Sequence, residues 1–179
     1  MHTSPANSRI VFNARLRIFR QLDKHHRSIK QAHQEFKRVD RDAEPLRWQA
    51  IVQQVLTELD AHAALQQGLL LPAARALPGA QWGHALIDQA LSEHASTHAL
   101  AQRLRSMSPM DERYGPRFSL LCVHALRCVR QAENGLFTLL AAARVDWPVL
   151  AQAMQSQRET GLPSAPHAPL MPALSVAMA

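Results

Sequence analysis

Apolar residues recur every three or four positions in four long stretches of this chain, each broken from the next by a short polar or proline-containing link. The first, about Asn13–Val39, lines up Ile18, Leu22, His26, Ile29, His33 and Phe36. The second, about Leu46–Ala74, aligns Ile51, Val55, Leu59, His62, Gln66, Leu69 and Ala73. The third, about Gly83–Met107, aligns Ile87, Leu91, His94, His98 and Ala101, and the fourth, about Arg117–Arg144, aligns Leu121, Ala125, Cys128, Ala132 and Leu139. That period belongs to helices that bury one face. Four of them with short connections predict an all-α fold, an antiparallel up-down-up-down four-helix bundle. A short extra C-terminal helix follows, with Asp146 placed to cap it and Pro148 in its first turn.

The links are legible as well. RVDRDAEP ends the first helix, and Pro45 suits the first turn of the second. Pro72 should kink or end the second helix near its C-terminal turn. ALPGAQWG and SPMDERYGP read as turns. With 179 residues the chain holds one domain: a flexible N-terminus over 1–12, the bundle over 13–160 and a disordered Pro/Ala-rich tail over 161–179. Ala and Leu dominate and aromatics make up 5 %, which favours helix over sheet.

Composition also narrows function. Cys122 and Cys128 lie six apart on one helix, so they point in different directions, and no CxxC occurs. MHTSPANSR lacks an apolar leader core, and no apolar run reaches membrane-span length, so the expectation is a cytoplasmic protein with no membrane partner. The net charge of +6 comes without interleaved aromatics or a reader motif, so it reads as a solvated helix face rather than a nucleic-acid surface. No nucleophile elbow, P-loop or dinucleotide fingerprint is present, and the chain is read as a non-enzyme.

The histidines are the informative residues. His26, His62, His94 and His98 fall on inward stripes, near mid-length, on three helices. One such histidine is usually packed, but several buried imidazoles need several partners, and a bivalent metal would satisfy them together. His94 and His98 are one turn apart. His25 points about a quarter-turn from His26 and is expected at the periphery, His33 at a helix-end core position, and His124 near the inner face, one turn before Cys128.

Read in order, LDKHHR, HAALQQGLLLPAAR, LIDQALSEHASTHALAQRL, DERYGPRFSLL and ENGLF give the chain a resemblance to the hemerythrin-like HHE cation-binding domains, from roughly Ile18 to Arg158. That resemblance implies a four-helix bundle around a di-iron site, in a family linked to oxygen or nitric-oxide binding and iron sensing. Carried over, the family's first-helix histidine falls on His26, and its helix-two histidine and glutamate fall on His62 and Gln66. The helix-three histidine falls on His94, with His98 matching a second ligand that some members have. The helix-four histidine and glutamate fall on Cys128 and Ala132, and of that segment's acidic run only Glu133 remains. The implied metal residues are therefore His26, His62, His94, His98 and Cys128, with His124 and Glu133 as neighbours and Gln66 and Ala132 as lost ligands.

Two metal ions roughly 3.5–4 Å apart repel, and bridging carboxylates offset part of that charge. Gln66 offers a neutral carbonyl and Ala132 nothing, so di-iron is disfavoured. Three imidazoles at about 2.0–2.1 Å, with water or a thiolate as fourth ligand, would suit zinc. His94, His98 and Cys128 would form one half-site, and His26 and His62 the remnant of the other. One Fe or Zn ion and no metal at all stand as equal alternatives. The expected function is a non-catalytic sensor or interaction module with a protein partner. The alternative is a cation-binding protein holding a single metal, and the oligomeric state is open.

Overall fold

The computed structural model describes residues 5–77, 81–142 and 145–160. Its elements are α1 (Pro5–Phe36), α2 (Pro45–Leu65), a π-helical turn (Gln66–Leu70), α3 (Leu71–Arg75), α4 (Gln81–Arg105), α5 (Tyr114–Asn134), α6 (Leu136–Ala142) and α7 (Trp147–Thr160). The all-α expectation holds, with no strand among the described residues. No helix of these residues is long and apolar enough to cross a membrane. α1 packs against α2, α5 and α7, while α4 packs against α3, α5 and α6.

Three boundaries differ from the sequence reading. α1 starts at Pro5, inside the segment read as flexible, because Val11 and Ala14 find apolar partners in the cluster that holds Trp147 and Met154 of α7. Phe19 sits between Phe137 and Trp147, with ring centroids 5.4 Å from each. Residues 1–4 and the proposed disordered tail over 161–179 lie outside the described residues.

The second expected helix does not run unbroken to Ala74. Pro72 has no N–H, and its ring would meet the carbonyl four residues back, that of Gly68, in a regular α-helix. The backbone widens instead, so that the Leu71 N–H reaches the Gln66 carbonyl, five residues back. Gln66 thus opens a π-turn, an irregularity that often accompanies functional sites. The fourth expected helix is also divided, at Gly135. A Cβ there would lie 3.2 Å from Leu86 Cδ2, so glycine lets the chain pass close to α4 while α5 ends and α6 begins. The final helix forms as read, and Asp146 Oδ1 accepts the Val149 N–H at 3.2 Å.

The core is in two parts. One cluster gathers Ile29, Trp48, Leu56, Leu104, Phe118 and Leu121. The other gathers Ile18, Leu22, Leu70, Ile87, Leu140 and Trp147. Each such side chain, buried, contributes roughly 1.5–3 kcal/mol. Between the clusters the long helices carry polar residues: His25 and His26 on α1, His62 on α2 followed by Gln66, His94 and Thr97 on α4, and Cys128 on α5.

Candidate functional site

This interruption of the core is where four imidazoles meet. His26 and His62 are buried and their ring centroids lie 4.8 Å apart. His62 lies 5.7 Å from His94 and 6.4 Å from His25, again between ring centroids. His94 Nε2–H donates to the Gln66 carbonyl Oε1, an α4-to-π-turn hydrogen bond that places a proton on that nitrogen. Gln66 is 1 % exposed, and its Nε2, like His62 Nδ1, is buried without a hydrogen-bond partner among the described residues. Burial first, then the neighbouring His26, His94 and His25, pushes His62 well below the usual histidine range. His62 is therefore neutral at pH 7.

His25 is not peripheral, as its quarter-turn offset suggested; it is 7 % exposed. Gln21 Nε2 donates to His25 Nε2 at 2.9 Å, which leaves the proton on Nδ1, 2.5 Å from Glu58 Oε2. Ser28 Oγ donates to the other Glu58 oxygen at 3.1 Å. The physical reason is that α1 has neighbours on several sides, so its buried arc is wider than one stripe.

A cavity of about 50 Å³ adjoins the histidines, lined by His62, Gln66, Glu93, His94, Thr97, His98, Cys128 and Ala132 among others. Most of its surface is apolar, from Ile29, Leu59, Ala101, Ala125 and Val129 among others, with the polar groups at the histidine side. On its α5 side His124 Nδ1 lies 3.2 Å from Thr97 Oγ1 and 3.5 Å from Cys128 Sγ. Burial and the Glu93 carboxylate push the half-buried Cys128 thiol up. Burial, followed by Arg127, pushes His124 down. His98 departs from the inward reading: it is exposed, and its Nε2 accepts from Gln102 Nε2 at 3.1 Å. His33 is buried as read, edge-on to Phe118 at 6.4 Å. The Glu133 side chain lies outside what the structure describes.

The structure thus brings His26, His62, His94 and Gln66 together, keeps Cys128 and Ala132 on the cavity wall, and leaves His98 at the exposed edge of that cavity. A di-iron centre does not fit this donor set. The amide and the methyl group of Gln66 and Ala132 supply no bridging charge, and Glu93, an acid of the lining, is hydrogen-bonded to the Gln89 amide at 3.0 Å in an exposed pair. Among the described residues no three His, Cys, Asp or Glu side chains form a group that could hold a metal ion. Three contributors escaped the sequence reading: Glu58, Glu93 and Thr97. Glu58 had a signal, lying one turn before His62; Glu93 and Thr97 had only their places beside His94 and His98. No family model, curated protein or solved structure matches the chain.

Proposed function

We propose that α1, α2, α4 and α5 form an antiparallel up-down-up-down bundle of hemerythrin-like type, in which the former di-iron site has become a metal-free polar layer. In this reading the protein acts as a non-catalytic sensor or interaction module. One observation carries it: His94 Nε2–H donates to the Gln66 carbonyl. A ligand nitrogen must offer its lone pair, and here that nitrogen carries a proton held by an amide where the family has a carboxylate. In this reading His94 serves the protein as a hydrogen-bonding group rather than as a ligand, and His62 is kept neutral by burial.

The second reading, a single Fe or Zn ion on His26, His62 and His94, draws support from ring separations of 4.8 and 5.7 Å. It requires the imidazoles to rotate and His94 to leave Gln66. Metal analysis of protein purified without an affinity tag separates the two. The first reading expects well under one Fe or Zn per chain, before and after anaerobic incubation with ferrous iron. One tightly held ion would establish the second, and two irons per chain would overturn both.

A further inference from the structure

We infer that the outer face of α1 binds the phosphodiester backbone of a nucleic acid without reading its sequence. The charge is distributed in a particular way. Residues 1–31 contain seven Arg and Lys (Arg9, Arg15, Arg17, Arg20, Lys24, Arg27, Lys30) and one acid, Asp23. Beyond residue 31 thirteen basic and thirteen acidic residues cancel, so the whole excess of +6 sits within the first 31 residues.

Helix geometry turns that excess into a track. Arg9, Asn13, Arg17, Arg20, Lys24 and Arg27 follow one another at intervals of three and four, and all are exposed. At about 1.5 Å per residue the row is about 27 Å long. Elsewhere four arginines are held in ion pairs, Arg47 by Glu35 and Glu44, Arg75 by Asp88, Arg105 by Asp60 and Arg113 by Asp111, and the other basic residues are interspersed with acids along the chain. On the row, Arg27 pairs with Asp23 at 2.7 Å, whereas Arg9, Arg17, Arg20 and Lys24 form no ion pair among the described residues. Four unpaired cations in line repel one another, and a row of phosphates relieves that repulsion.

The other anionic partners fit less well. A helix that lies on a membrane buries its apolar face in lipid, but Ile18, Leu22 and Ile29 of α1 are at most 1 % exposed, inside the protein core. Exposed Ile10 and Phe12 are two residues apart and so project from different sides of the helix. Guanidinium groups dominate the row, and their fork of donors matches phosphate oxygens. The described row is one face of a single helix carrying charged side chains, so the recognition proposed is of backbone charge.

The test measures fluorescence anisotropy of labelled duplex DNA with the full chain as salt is raised. Four phosphate contacts predict a slope of about −3.6 in log affinity against log salt, or about a 100-fold loss between about 50 and 200 mM. The triple variant Arg17→Gln, Arg20→Gln, Lys24→Gln should flatten that slope by about 2.7, and the corresponding triple Glu variant should abolish binding. A control with the same net charge, Arg103→Glu, Arg117→Glu, Arg130→Glu, should keep both slope and most of the affinity. Unchanged helical circular dichroism and melting temperature show that each variant folds. The inference is overturned if the unmodified chain fails to bind at low salt or if the control loses binding equally. It is equally overturned if phosphatidylserine vesicles or polyglutamate bind while DNA does not.

Discussion

His94 and Gln66 are joined across the gap between α4 and the π-turn, the imidazole Nε2–H donating to the amide carbonyl, at the level where the two apolar cores part. Neither residue needs a metal to satisfy that bond. Gln66 supplies an amide where a carboxylate could stand, Ala132 lines the same cavity with a methyl group, and both can be reversed.

The variant Gln66→Glu, Cys128→His, Ala132→Glu restores two carboxylates and a further imidazole to the cavity wall. We expect it to take up close to two irons per chain and to develop the near-ultraviolet absorption of oxo-bridged ferric iron that the hemerythrin-like resemblance implies. Its metal-free form should be less stable than the natural protein, because two added carboxyl groups lose solvation there. Iron should recover that stability by binding the folded state alone. Metal analysis and urea unfolding with and without iron check each step, and a variant that binds no iron would refute the correspondence of these three positions.

Acid should destabilise the fold through His62. Its folded value is depressed by burial and by neighbouring imidazoles, so the unfolded chain takes up a proton that the folded chain refuses. Stability is then complete above about pH 6.5, the unfolded histidine value, and falls as pH drops below it towards the depressed value. The slope should approach about 1.4 kcal/mol per pH unit for this one histidine. Burial also lowers His33, and burial lowers the half-buried His124, so both add in the same direction. Urea midpoints between about pH 7.5 and 5 report the slope. His62→Gln should reduce it; an unchanged slope would place the acid sensitivity elsewhere.

The two cysteines should differ in reactivity. Cys122 has no exposed surface and burial pushes its thiol up to about 12, so almost no thiolate reaches solvent at neutral pH. Cys128 is also raised, but it is half-buried and lines the cavity. Labelling with a maleimide under native conditions should modify Cys128 at least about tenfold faster than Cys122. Peptide mass mapping, with Cys128→Ser as the control, assigns the site. Equal rates would mean that the core around Cys122 opens readily.

Packing makes a sharper contrast. Phe118 is fully buried, 4.4 Å from Phe36 between ring centroids. Leu120, two residues on, is 56 % exposed on the opposite side of α5. Phe118→Ala should cost about 3–5 kcal/mol, and Leu120→Ala within about 0.5 kcal/mol. Urea unfolding followed by helical circular dichroism measures both. A large loss at Leu120 would show that its face is covered in solution.

The sequence by itself determined which side of each helix turns inward. Apolar spacing is a local property, and Ile18, Leu22, Ile29, Leu59, Ile87 and Leu121 are all buried where the stripes placed them. Turn chemistry was equally local, which is why Asp146 and its short helix could be read directly. What spacing cannot express is how many neighbours a helix has. His25 lies off the stripe yet is buried beside Glu58, because helices pack on more than one side of α1; His98 lies on its stripe yet faces solvent. Pro72 announced a disturbance, but where the backbone would widen depended on the register in which the neighbouring helices hold the turn, and that register put Gln66 opposite His94. The identity of each polar residue was written in the chain. Which of them meet was decided only when the helices packed, because a hydrogen bond between residues 28 positions apart depends on how two helices sit side by side.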